Sequence, residues 1–95
     1  MDDNLQELID IFARTTDKQK MRKLFEELFS STEITDIAKR WYIMKELYQG
    51  KPQRHIAHEM EVSLCKITRG SKILKDSESA FRAILSDMYD DQYHI

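Results

Sequence analysis

The chain has 95 residues, 41% of them hydrophobic and 34% charged, with two glycines, one proline and a formal net charge of −2. That length supports one domain with a modest core, and the scarcity of helix breakers points to a mostly helical protein rather than a disordered or all-β one. No apolar run reaches membrane-spanning length, the acidic start MDDNLQELID is unlike a secretory signal, and the single cysteine, Cys65, is too little for an internal disulfide or a structural zinc site. A cytoplasmic protein with no metal and no membrane contact is expected.

The periodicity predicts six helices. Asn4 to Ala13 places Leu5, Leu8, Ile9, Ile11 and Phe12 on a broad apolar face, and Thr15, Thr16 and Asp17 end it and can cap the next helix. Lys18 to Phe29 follows, with Met21, Leu24, Phe25 and Leu28 turned inward. Ser30-Ser31-Thr32-Glu33 has the form of a capping box and opens a long helix to Tyr48 or Gln49, with a stripe of Ile34, Ile37, Trp41, Met44, Leu47 and Tyr48. Gly50 suits the residue after that helix, and Pro52 the start of the next. Asp76 or Ser77 is expected to cap a last helix carrying Phe81, Ile84, Leu85 and Met88.

The segment from Gln53 to Leu74 reads as two short helices across a tight turn. Ile56, Ala57 and Met60 recur at helical spacing, Val62 sits in the turn, and Ile67 and Leu74 repeat on one face of the second helix. Ala57 suits a close crossing, and Ser63 offers an N-cap hydroxyl. Leu64, Cys65, Lys66, Thr68 and Lys72 are left outside, where a helix-turn-helix unit meets a DNA groove. Residues 51 to 75 hold six basic residues against two acidic ones, a net +4 that leaves −6 on the rest of the chain. A basic segment on an acidic body attracts phosphate at one face only; the plainer reading is an ordinary solvated helix pair.

The apolar faces of the first two helices exceed what so small a body would cover, which implies dimerisation through residues 4–29, against the plainer reading of a monomer with a greasy surface. Two reading helices related by a two-fold axis would then reach half-sites about 34 Å apart.

The block Ile67-Thr68-Arg69-Gly70-Ser71-Lys72-Ile73-Leu74-Lys75 resembles the recognition helix of the bacterial Trp repressor family, which carries a similar ITRGS-x-x-LK run. Gln53-Arg54, Glu46-Leu47 before Gly50, and Arg40 also fall where the family has like residues, so that Leu24 to Leu85 aligns with one residue missing in the loop from Gly50 to Gln53. The resemblance implies an all-α, six-helix fold forming an intertwined homodimer. It implies operator binding when L-tryptophan, the co-repressor, occupies a pocket against the reading helices, in control of genes for tryptophan biosynthesis or uptake.

The family's ligand residues carry over to several positions. The indole would lie between Arg40 and Arg69, as guanidinium planes stack on aromatic faces and an arginine fork grips a carboxylate. Backbone carbonyls near Glu27 and Phe29 would accept the ammonium, Ser30 matches a hydroxyl position, and Gly70 would let the ligand approach the recognition helix. Ile73 replaces a serine that contacts the amino group, so one polar contact is lost. On the DNA side the expected residues are Gln53, Arg54, Leu64, Cys65, Lys66, Thr68, Lys72 and Lys75. Glu61 stands where glycine is common and must turn left-handed, unless the turn is remodelled. Ala57 replaces a family lysine.

Other readings carry less. His55 and His58 with Cys65 suggest zinc only if a further ligand and supporting shell exist. Trp41 reads as core or dimer contact, and Asp90-Asp91 as a tail. No glycine-rich phosphate loop, nucleophile–base pair or metal spacing supports an enzyme. The competing functions are a helix-turn-helix regulator with another ligand or none, and a helical protein-interaction module.

Overall fold

The computed structural model describes residues 2–90. It contains α1 (Asp2–Arg14), α2 (Lys18–Leu28), α3 (Ser31–Tyr48), α4 (Gln53–Met60), α5 (Leu64–Lys75) and α6 (Ala80–Tyr89), with no strand among the described residues. The fold is all-α, as expected. None of these helices is long and apolar enough to cross a membrane. The chain divides into two units, Met1–Asp36 and Ile37–Ile95, described in turn.

In the first unit, Asp17 caps α2 by accepting from the N–H groups of Gln19 at 2.8 Å and Lys20 at 3.4 Å. The capping box forms in both directions: Ser30 N–H donates to Glu33 Oε1 at 2.9 Å, and Glu33 N–H donates to Ser30 Oγ at 3.1 Å. Helix α2 stops one residue earlier than its pattern suggested, with Phe29 in an extended conformation as C-cap. Phe25 packs its ring against Phe12 at 5.5 Å and Phe29 at 5.4 Å. No residue of α1 or α2 is buried, and Leu5 is 58% and Leu28 48% exposed.

The core of the second unit is Ile43, Ile56 and Ile67, ringed by Leu47, Ala57, Met60 and Val62. Burial of Ile56 and Ile67 stabilises the helix pair by roughly 1.5–3 kcal/mol each. Ile43 stood outside the predicted α3 stripe yet is one of the helix's two buried residues, with Met44. A helix covered on more than one side buries more than a single stripe.

Helices α3 and α4 end by the same device. After α3, Gly50 takes φ 92°, its N–H bonds to the Leu47 carbonyl at 3.0 Å, and Lys51 N–H reaches the Glu46 carbonyl at 3.2 Å. After α4, Glu61 takes φ 54° and ψ 42°, its N–H bonds to the His58 carbonyl at 3.3 Å, and Val62 N–H bonds to the Ala57 carbonyl at 3.1 Å. Both are Schellman closures, one on glycine and one on a residue that a left-handed backbone disfavours. Val62 then packs onto the core that Ala57 also covers.

Two caps differ from expectation. Ser63 occupies the N-cap of α5, but its hydroxyl makes no capping bond. Helix α6 is capped by Ser79, which accepts from Arg82 N–H at 3.2 Å, rather than by Asp76 or Ser77. Asp76 instead ends α5 and turns the chain by accepting from Glu78 N–H at 2.9 Å. On α6 only Leu85 is buried, while Phe81, Ile84 and Met88 are exposed.

Candidate ligand cavity and nucleic-acid interface

Helix α5 presents three faces. Ile67 and Gly70 are buried against the core; Lys66, Arg69 and Ile73, though exposed, border a cavity that Gly70 also lines; Leu64, Cys65, Thr68, Lys72 and Lys75 are exposed away from it. The spacing of three and four residues within each set follows from the helical repeat.

The cavity has a volume of about 250 Å³ and lies in the second unit. Arg40, Arg69, Gly70 and Ile73, four of the sequence-predicted ligand residues, all line it. Five further residues that sequence reasoning did not assign to a ligand there are Ile37, Met44, Trp41, Phe81 and Ile43, and Lys66, expected on the DNA side, also borders it. Trp41 is half-buried, with its ring 5.7 Å from that of Phe81 and the Lys45 ammonium 5.7 Å from its centroid. The volume suits a small aromatic molecule better than a dinucleotide, being at or below the small end of ordinary ligand sites.

Gly70 has a steric role that its letter alone does not specify. A Cβ there would stand 3.2 Å from Leu47 Cδ1 and 3.4 Å from Ile43 Cγ2, so the glycine first of all lets α5 approach α3. The cavity lies beside that approach. Ile73 is 38% exposed and offers the cavity an apolar wall.

Glu27, Phe29 and Ser30 belong to the first unit. Glu27 lies in the last turn of α2, where carbonyls have no intrahelical partner, and Phe29 is the C-cap. The Ser30 hydroxyl accepts from Glu33 N–H at 3.1 Å. The Ser30 backbone N–H, then its hydroxyl, hold the Glu33 carboxyl below its ordinary pKa.

On the outer side of the helix-turn-helix unit, Arg54, Lys66, Lys72 and Lys75 are exposed and form no ion pair among the described residues. Thr68 Oγ1 donates to the Leu64 carbonyl at 3.0 Å, so its proton is committed and the exposed oxygen is left to accept. Cys65 is an exposed free thiol. Gln53 Nε2 donates to Ser71 Oγ at 3.3 Å, tying the start of α4 to α5. A broader recess of about 560 Å³ opens there, bordered by Gln53, Ser71, Lys75 and Arg82, the last a cation from outside the helix pair.

Lys51 behaves differently from the other basic residues of its segment. Its ammonium sits 2.6 Å from Glu46 Oε2 and 3.8 Å from Glu59 Oε2, and Glu59 also takes the Tyr42 hydroxyl at 3.0 Å and lies 3.2 Å from His55 Nε2. The Lys51 hydrogen bond holds Glu46 below its ordinary pKa, and Glu46 raises Lys51 in return. His55 thus faces a carboxylate. Among the described residues no group of three or more His, Cys, Asp or Glu side chains is placed to hold a metal. Asp90 accepts from Tyr48 at 2.7 Å and Ser86 at 3.0 Å; Asp91 lies outside the described residues.

Comparison with known proteins bears on this arrangement. Residues 3–89 match the family described as Trp repressor protein. A Trp operon repressor homolog of Chlamydia trachomatis serovar L2 is 33% identical over 81 residues, covering 84% of this chain and 86% of that protein. A homolog of the same description from Xylella fastidiosa strain M23 is 34% identical over 71 residues, covering 74% and 77%, and one from Vibrio atlanticus is 28% identical over 87 residues, covering 90% and 89%. No solved structure gives a significant match.

Proposed function

The chain belongs to the Trp repressor family, whose members are regulators rather than enzymes, and on that premise we propose that it represses transcription by binding operator DNA as a homodimer when L-tryptophan fills the cavity lined by Arg40 and Arg69. The regulated genes would be those of tryptophan biosynthesis or uptake, with the protein acting in the cytoplasm. The observation that carries this reading is the meeting of Arg40 and Arg69 at one small, mostly apolar cavity although they are far apart in sequence. An indole edge in such a cavity gains apolar burial and two cationic faces, and a carboxylate gains a bidentate guanidinium.

The dimer reading is supported by the apolar side chains that the chain leaves uncovered. Leu5, Ile9 and Leu28 in the first unit, and Phe81, Ile84 and Met88 on α6, are each more than two-fifths exposed. Shared apolar surface of this kind is how small helical chains complete a core.

The DNA reading is supported by four exposed, unpaired cations along α4 and α5 besides Arg69. Arg54, Lys66, Lys72 and Lys75 would contact phosphates, while Leu64, Cys65, Lys66 and Thr68 would meet base edges or intervening water. Tryptophan would favour the conformation in which the reading helices are spaced for DNA, by its differential affinity for that conformation. The test is fluorescence anisotropy with duplex DNA at several salt concentrations, with and without tryptophan. Tryptophan-dependent binding with a log–log salt slope of about −0.9 per phosphate contact supports the reading. Binding that ignores tryptophan leaves a helix-turn-helix regulator of another kind, and no binding favours a protein-interaction module.

A further inference from the structure

Three cations border the cavity of about 250 Å³: Arg40 from α3, and Lys66 and Arg69 from α5. The remaining lining residues are apolar, and no carboxylate is among them. None of the three cations has an ion-pair partner among the described residues, although the chain carries 17 acidic groups. Like charges around one apolar recess raise the local potential, and an anion entering it relieves their mutual repulsion.

Helix geometry places Lys66 at the border of two faces. It is three residues before Arg69 and seven before Ile73, the spacing that aligns side chains along one side of a helix. Cys65 and Lys72 do not line this cavity, and Lys66 does. A lysine's four-carbon stem can pack along the apolar wall while its ammonium stays at the mouth.

We infer that Lys66 binds the ligand's carboxylate alongside Arg69, making the acid function of an aromatic ligand the feature this cavity selects most strongly. The inference rests on the proposed tryptophan reading. It moves Lys66 from the DNA surface into the ligand site. With Ile73 unable to bond an ammonium, the α5 wall recognises the anionic end and the ring, and contributes nothing to the amine.

Calorimetry on the full-length protein without DNA tests this, using L-tryptophan and L-tryptophanamide, in which a neutral amide replaces the acid. Wild-type protein is expected to bind tryptophan at least tenfold more tightly than the amide, whose affinity is read by competition. Lys66→Met is expected to weaken tryptophan about tenfold, the scale of one charge-assisted hydrogen bond at a partly exposed site. It should change the amide less than twofold, and Lys66→Arg should restore most of the loss. If Lys66→Met leaves tryptophan affinity unchanged, or weakens both ligands equally, Lys66 is not a carboxylate partner and the inference is overturned while tryptophan binding stands. If neither ligand binds wild-type protein, the tryptophan reading itself fails, and this inference with it.

Discussion

Gly70 on α5 and Leu47 on α3 set the distance between the reading helix and its support: a Cβ on Gly70 would stand 3.2 Å from Leu47 Cδ1. At that separation the neighbour must give by a few tenths of an ångström to admit even a methyl group. Gly70→Val adds further bulk beside Leu47 and Ile43, and is expected to destabilise the protein by about 1–3 kcal/mol through overpacking. Gly70→Ala should be milder, because the gain in helix propensity, about 1 kcal/mol, offsets part of the strain. Urea midpoints measure both.

Glu61 holds φ 54° at the turn of the helix pair, a conformation that glycine adopts without steric cost. Glu61→Gly is expected to stabilise the protein by about 1 kcal/mol, since the left-handed penalty removed exceeds the extra entropy of the unfolded chain. The change should appear in the urea midpoint. A lower midpoint would mean that the Glu61 side chain contributes more than its backbone strain removes.

These two positions illustrate what the sequence carried. Six helices, the Gly50 stop, the capping box and the helix pair are legible because each leaves a local pattern of spacing or capping residues, whereas at Glu61 the letters leave open whether the residue turns left-handed or the turn is remodelled. Ile43 falls outside a one-stripe view of α3 because its burial depends on α4 and α5. The α6 cap lies at Ser79, later than the letters suggest, because Asp76 satisfies a turn instead. For the cavity, Arg40 and Arg69 came from the family resemblance rather than from periodicity. Trp41, Phe81 and Lys66 were not assigned to it, as their convergence depends on how α3, α5 and α6 pack.

The charge network predicts two limits to stability with pH. Glu33 is held below its ordinary 4.5 chiefly by the Ser30 N–H, and Glu46 by Lys51. A depressed carboxylate stabilises the fold above its unfolded value, and that contribution is lost as pH falls through the lowered folded value. Lys51 is raised above 10.5 by Glu46, and Tyr42 and Tyr48 are raised above 10.0 by their bonds to Glu59 and Asp90. Their contributions are present below those unfolded values and are lost as pH rises through the raised folded ones. Urea midpoints should therefore hold between about pH 6 and 9 and decline beyond 4.5 on one side and 10 on the other. Glu46→Gln should flatten part of the acid decline; an unchanged acid limb would contradict the role given to its pair with Lys51.

Arg69→Ala is expected to weaken tryptophan binding by about tenfold or more, as both a stacking partner and a carboxylate fork are removed. Operator affinity should fall with it at limiting ligand, because coupling between two sites is reciprocal. Far-UV circular dichroism of the variant should match wild type, since Arg69 is exposed. Unchanged tryptophan affinity would place Arg69 on DNA alone.

If the cavity joining Arg40 and Arg69 is a tryptophan site, calorimetric titration of L-tryptophan into the wild-type protein will read it. Saturable binding with one ligand per chain is expected, abolished or strongly weakened when both arginines are replaced by alanine. No saturable heat at millimolar tryptophan, or binding that survives the double replacement, would contradict it.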